Sequence, residues 1–196
     1  MPASDIYVHT LHQAIARYLY VGEPGRFELA NGQTSHYYLD FRGVMSEAEA
    51  AIAVGRLGVS RISALAPDFI IGVATGGIAV ATAINLEGYH ALAAKWRTRM
   101  LYVRSRPKGY GRNRLIEGLH ADETLAGKSV VVVEDTFTTG ASAVAAANAA
   151  LNQGAAVRLV LAAFDREEGA AQAIGEVGLP WASLAQAHTF LPSGTA

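Results

Sequence analysis

Val130–Ser142 reads VVVVEDTFTTGAS. Four valines in a row make a strand buried on both faces, because a sheet edge or a one-sided sheet would alternate polar with apolar. Glu134 and Asp135 follow where that strand runs out, and Thr136-Phe137-Thr138-Thr139-Gly140-Ala141-Ser142 turns the chain into an Ala-rich helix. The valines alone fit any buried parallel strand with a polar exit. The acidic pair followed by a hydroxyl-rich turn and a helix start is far more specific. Backbone N–H groups at a helix N-terminus attract phosphate, threonine and serine hydroxyls add donors, and the two carboxylates accept hydrogen bonds from a sugar diol. The order therefore suits a ligand carrying both a diol and a phosphate.

The chain has 196 residues, 51% hydrophobic and 17% charged, with a net charge of −1. That is enough for one domain with a full core, and it gives no global field towards nucleic acid or membrane. Anion binding must be local. The sequence contains no cysteine, which removes disulfides, thiolate metal sites and a cysteine nucleophile and fits a cytoplasmic protein. MPASDIYVHTLHQ lacks the basic and apolar regions of a signal peptide. Phe69–Leu86 is uncharged for 18 residues, close to a membrane span. Its glycines and threonines divide it into a β-rich and an Ala-rich half, so strand, loop and helix is the expectation.

Outward from these stretches, a first helix capped by Ser4 or Asp5 is expected to present Val8, Leu11, Ile15 and Leu19 on one face. Phe27–Leu29 and Tyr37–Phe41 read as short strands around the turn dipeptide Asn31-Gly32. Ser46 and Glu49 form a capping box for a helix running to Ala66, with Pro67 beyond. Asp68–Gly72 is a strand, Ile78–Leu86 a helix stopped by Gly88, and Ala91–Lys95 and Met100–Arg104 are strands. Ser105–Ile116 reads as a long mobile loop. Ser129–Val133 is the central strand, followed by a helix to about Asn152, a strand Val157–Phe164, a helix Ala170–Val177 and a last strand Leu179–Leu184. This alternation predicts an α/β fold with a parallel sheet flanked by helices. The N-terminal helix and hairpin fall outside it and are expected to form a small hood subdomain, roughly residues 1–45, over the C-terminal edge of a core spanning roughly 46–185.

Between Arg104 and Arg114 lie Arg104, Arg106, Lys108, Arg112 and Arg114 without an acid among them, a basic loop beside the proposed anion site. Gly127-Lys128-Ser129 imitates the end of a P-loop, but it leads from loop into strand and has Asp122 where a glycine is required. The histidines show no metal-binding spacing.

Four segments resemble the orotate phosphoribosyltransferase family of type I phosphoribosyltransferases. Phe27–Arg42 follows the family's hood pattern F-x-L-x-S-G-x-x-S-x-Y-Y-x-D-x-R. Gly72–Ile78 resembles its pyrophosphate loop, Tyr102–Gly118 its flexible catalytic loop, and Glu134–Ser142 with Phe164–Gly169 its sugar-phosphate loop and DREEG-type segment. The resemblance implies a type I phosphoribosyltransferase fold over residues 1–196. It also implies transfer of ribose 5-phosphate from 5-phosphoribosyl-1-diphosphate (PRPP) to orotate in pyrimidine synthesis, with Mg²⁺ held mainly through PRPP and no direct protein ligand. Carried over residue by residue, Lys108, Arg104 and Asp135 are catalytic. PRPP is bound by Glu134, Asp135, Thr136, Thr138, Thr139, Gly140, Ala141, Ser142, Thr75, Gly76, Gly77, Arg104, Lys108 and Tyr110. Orotate is expected to be bound by Tyr37, Tyr38, Thr138 and Arg166. In the family the catalytic loop reaches the active site of the neighbouring subunit, so the resemblance implies a homodimer. The family often has Lys at the positions of Ala30 and Ser105 and His at that of Tyr110, and Arg106, Arg112 and Arg114 offset the lost charge. A paralogue for another base and a PRPP-binding regulator are the competing readings; the chain is too short for a regulator's added DNA-binding domain.

Overall fold

The computed structural model describes residues 3–23, 25–28, 34–104 and 115–191. It begins with helix α1, Ala3–Tyr18, followed by β1, Leu19–Val21, β2, Phe27–Glu28, β3, Thr34–Ser35, and β4, Tyr37–Leu39. Helix α2, Phe41–Ser46, leads into α3, Ala48–Ile62. Then come β5, Phe69–Val73, α4, Gly76–Leu92, β6, Arg99–Val103, and β7, Ile116–Glu117. The second half is β8, Ser129–Phe137, α5, Ala141–Leu151, β9, Ala156–Asp165, α6, Ala170–Glu176, and β10, Trp181–Gln186.

Among the described residues six strands form one sheet in the order β10-β9-β8-β5-β6-β7, parallel except where β7 returns antiparallel on β6. The chain starts in the middle with β5, works outward through β6 and β7, and then comes back to β8 on the other side. That reversal leaves a crevice between the C-terminal ends of β5 and β8, where open α/β sheets bind ligands.

The valine run fills both sides of the sheet. Val131 and Val133 join Leu11, Ile15, Val54, Ile70 and Ile84 beneath α1, α3 and α4. Val130 and Val132 join Ile71, Leu101 and the α5 alanines Ala143, Ala146, Ala147 and Ala150 on the opposite face. Period-two alternation produces this division, and small side chains at helical spacing let α5 lie close on the strands.

Several local expectations are revised. The central strand does not stop at Val133. Its pairing with β5 ends at Gly72↔Val133, but its pairing with β9 continues to Phe137↔Asp165, so the acidic pair lies inside the strand. Gly88 does not stop a helix. It sits within α4, where a Cβ would lie 2.3 Å from the Trp96 ring, so the indole needs its bare backbone. Ala91–Lys95 is not a strand but the end of α4 and a 3₁₀ turn at Ala93–Lys95. Ser46 caps nothing downstream: it ends α2, donates its hydroxyl to the Gly43 carbonyl, and leaves Glu47 as the N-cap of α3. Val8 is exposed, and Leu11, Ala14 and Ile15 carry the α1 contact. In the N-terminal segment β2 pairs with β3, whereas β4 pairs with β1, and Phe41 begins α2. Leu29, the Asn31-Gly32 turn and residues 105–114 lie outside the described residues. Phe69–Leu86 is strand, loop and helix, and no described helix is long and apolar enough to cross a membrane.

Candidate active site

Where β8 outruns β5, residues 134–137 have a ladder neighbour only on the β9 side among the described residues. The vacated flank is taken by the loop from β5 into α4. The closest approach is made without side chains, by the first two residues of α4: a Cβ on Gly76 would stand 2.1 Å from Asp135 Oδ2, and one on Gly77 would stand 2.4 Å from the Val133 carbonyl oxygen. The two glycines are therefore a steric requirement of this contact.

Above it opens a cavity of about 570 Å³. Its floor is Thr75, Gly76, Asp135 and Thr136. One wall is the turn Thr138–Ser142, and the other is Tyr38–Arg42 from β4 and α2, with Arg166 at the far end. The turn is fixed from behind. Gly140, at φ 79, caps α5, and the Arg166 and Ala170 N–H groups donate to the Phe137 and Thr138 carbonyls at 2.9 and 3.1 Å.

The two acids differ in environment. Asp135 is half-buried on the cavity floor. Burial raises its carboxyl above the usual range, against N–H groups of its own residue and Thr136 and the more distant charge of Arg42. Glu134 is 7% exposed and stands behind the wall. Its Oε1 accepts the Ser142 hydroxyl at 2.6 Å, and Oε2 is buried with no partner among the described residues. Burial pushes the Glu134 carboxyl from 4.5 up to about 7, against the Ser142 hydrogen bond and with a smaller push from Asp135.

This sets a sign for pH dependence. Between 4.5 and about 7 the folded protein keeps a proton on Glu134 that the unfolded chain has lost, so this group's contribution to stability falls as pH rises. In ligand-free protein, denaturant titrations across that window will show a decline that Glu134→Gln flattens, with a difference of up to ~3 kcal/mol. Equal slopes in both proteins would refute the assignment.

The hood-pattern residues meet this site from the side. Asp40 caps α2 by accepting the Arg42 N–H at 3.2 Å and binds the Arg42 Nε at 3.0 Å. Arg42 Nη2 donates to the Tyr38 hydroxyl at 3.2 Å. Tyr38 and Arg42 thus form a rim above Asp135. Tyr37 does not face the cavity. It is 2% exposed, donates its hydroxyl to the Arg166 carbonyl, and lies with its ring 4.1 Å beneath the Arg166 guanidinium. Its phenol is held well above the ordinary value, mainly by burial. The ring supports the arginine instead of offering a free stacking face.

Of the residues singled out in the sequence, Tyr38, Thr75, Gly76, Asp135, Thr136, Thr138, Thr139, Gly140, Ala141, Ser142 and Arg166 surround one cavity. Gly77, Glu134 and Tyr37 lie behind its walls. Arg104, at the end of β6, is not on the wall. Its N–H donates to the Leu115 carbonyl, and its guanidinium points to Glu117 at 3.8 Å. Lys108 and Tyr110 lie outside the described residues. Asp40, Arg42 and Ser35 carry no role in the sequence reading, although each occupies a fixed letter of the hood pattern.

No protein-family model matches the chain. Among solved structures, the orotate phosphoribosyltransferase of Mycobacterium tuberculosis in complex with PRPP superposes with a TM-score of 0.70 at 30% identity, over 92% of this chain and 95% of that one. A phosphoribosyltransferase from Corynebacterium diphtheriae gives a TM-score of 0.76 at 28% identity, over 94% and 98%. The fold is that of a type I phosphoribosyltransferase. Among curated relatives, the orotate phosphoribosyltransferase of Rhodopseudomonas palustris (strain BisB5) is 39% identical over 170 residues, 85% of this chain and 88% of the relative. The chain belongs to the orotate phosphoribosyltransferase family.

Proposed function

We propose that this chain transfers ribose 5-phosphate from PRPP to orotate, releasing pyrophosphate and forming orotidine 5′-monophosphate in the cytoplasm. The observation that carries the reading is the convergence of Asp135, the turn Thr138–Ser142 and Arg166 on one cavity at the sheet's switch point. Phosphate is suited to the N-terminus of α5 and the turn hydroxyls. A ribose diol is suited to the Asp135 carboxylate, and the diphosphate to the loop Thr75–Gly77. Arg166 faces the base end, where its guanidinium matches a carboxylate. Breaking the ribose–diphosphate bond builds positive charge on the sugar and negative charge on the leaving group, so the protein acts by positioning and electrostatics.

Mg²⁺ enters this proposal with PRPP. It would be held mainly through that substrate, with the Asp135 carboxylate on the cavity floor beside the ribose hydroxyls. When bound, the ion supplies neutralisation of the diphosphate charge.

Pyrophosphate release from PRPP and Mg²⁺ tests the reading, measured with orotate, uracil and purine bases in turn. Orotate-dependent release supports it. Release with another base alone indicates a paralogue, and none with any base indicates a regulator. The replacements at Ala30, Ser105 and Tyr110 make this comparison informative.

The proposal includes a homodimer with the catalytic loop shared between subunits. An exposed apolar strip of Ile52, Leu86 and Tyr89 on α3 and α4, reaching the active-site edge through Met45 and Ala79, supports a second copy as its occupant. Lys108→Ala will lower kcat far more than it raises KM, because the departing pyrophosphate gains charge mainly in the transition state. Mixing Lys108→Ala subunits with Asp135→Asn subunits will restore activity in heterodimers. No recovery in verified heterodimers would exclude a shared loop.

A further inference from the structure

Arg166 carries more than its match to a family motif. Its side chain is 4% exposed, and such a buried cation requires an anion nearby. Its Nη2 donates to the Ser35 hydroxyl at 3.0 Å and to Glu168 Oε1 at 2.7 Å. Its Nε is buried with no partner among the described residues. A guanidinium grips a carboxylate along one of two edges, Nε with Nη2 or Nη1 with Nη2. Both edges include Nη2, whose two hydrogens are already committed.

An arriving carboxylate must therefore take a hydrogen from Ser35 or from Glu168. Ser35 is buried and its hydroxyl oxygen also accepts the Tyr37 N–H at 3.3 Å, so it is fixed. Glu168 is freer: its side chain is 29% exposed, and it precedes Gly169, at φ 106 with open space where a Cβ would be. Among the described residues the two neighbouring acids of the same segment do not substitute for it. Glu167 is held by the His188 ring and N–H, both at 2.8 Å, and Asp165 accepts the Glu167 N–H at 2.8 Å.

We infer that Glu168 is an internal counter-anion that occupies the Arg166 fork until a carboxylate on the incoming base displaces it. The inference rests on the orotate reading above and deepens it. Exchange of one carboxylate for another leaves the buried cation neutralised throughout. A base without a carboxylate leaves Glu168 in place and gains no fork. Glu168 thus lowers apparent affinity for the carboxylate-bearing base by the fraction of molecules in which the fork is closed.

The test compares full-length parent, Glu168→Gln and Glu168→Asp in steady-state kinetics with PRPP and Mg²⁺, and by thermal melting with orotate or uracil. Both variants lose reach or charge at Nη2. They are expected to melt below the parent without ligand and to gain a larger upward shift from orotate than the parent does. KM for orotate is expected to fall about tenfold if the fork is closed nine times in ten, with KM for PRPP and the response to uracil unmoved. An unchanged or raised KM for orotate in both variants, in a parent that uses orotate, overturns the inference and leaves the reading of the substrate standing. A parent without orotate-dependent pyrophosphate release overturns that reading itself.

Discussion

Asp135→Asn will lower kcat/KM by ~10²- to 10⁴-fold while leaving the melting temperature equal to or above the parent's. The two halves of this expectation come from the same environment. Burial already disfavours the Asp135 carboxylate, and its pKa is raised for that reason. A neutral amide of the same shape relieves that cost in the ligand-free protein, so stability does not suffer. The loss falls on the ligand instead. On the proposed reading the carboxylate accepts hydrogen bonds from the ribose diol, and charge-assisted bonds of this kind are worth ~1.5–3 kcal/mol each. Two of them account for the range given. Calorimetric titration with PRPP and Mg²⁺, run beside kinetics and melting, separates the effects. Unchanged PRPP affinity in Asp135→Asn would remove this residue from the diol site. A fall in melting temperature would show that its charge serves the fold.

Glu134, the other member of the pair, illustrates what the sequence could and could not show. Adjacent residues in a strand point to opposite faces, so two neighbouring carboxylates cannot share an environment. Only the neighbouring strands decide which one meets the cavity. Because β8 loses β5 as a neighbour after Val133 but keeps β9, Asp135 reaches the cavity, whereas Glu134 turns towards Ser142. The length of one strand relative to another is a tertiary property without a local signal. Contiguous elements are legible. The valine run, the turn at Gly140 and the Ala-rich α5 all follow from local pattern, and together they define the sheet and one wall of the cavity. Glycine misleads where its reason lies elsewhere in the fold: Gly88 resembles a helix stop, but its neighbour is Trp96. Ala91–Lys95 misleads because a short apolar run does not by itself separate helix end from strand. The Arg166 end of the cavity is least legible. Ser35 and Arg166 are 131 residues apart, and nothing in either segment states that they share a hydrogen bond or that Tyr37 supports the pair.

The close backbone contact beneath the site leads to the other large effect. Gly77→Ala will destabilise the protein by about 3 kcal/mol, at the upper end of overpacking costs. Helix propensity opposes this: Gly77 is in the first turn of α4, and alanine in a helix interior is favoured over glycine by up to ~1 kcal/mol. The clash wins because of what the new methyl meets. Its Cβ would lie 2.4 Å from the Val133 carbonyl oxygen and 3.1 Å from Glu134 Cα. These are backbone atoms of the central strand, paired on both sides at Val133, and they cannot swing aside as a long side chain would. Relief requires α4 to lift from β8, and Gly72 packs against the same turn, with its own Cβ position 2.8 Å from the Gly77 carbonyl oxygen. Lifting α4 also carries Thr75 and Gly76 away from Asp135, so whatever protein still folds will bind PRPP poorly. Gly175→Ala is the control. Gly175 lies in α6 with nothing within 4 Å of the place a methyl would take, so propensity acts alone and that variant is expected to gain up to ~1 kcal/mol. Denaturant titrations of both variants decide the matter. Parent-like stability in Gly77→Ala would mean that the β5–α4 loop has room to retreat and that the glycine pair is not what holds the floor of the cavity in place.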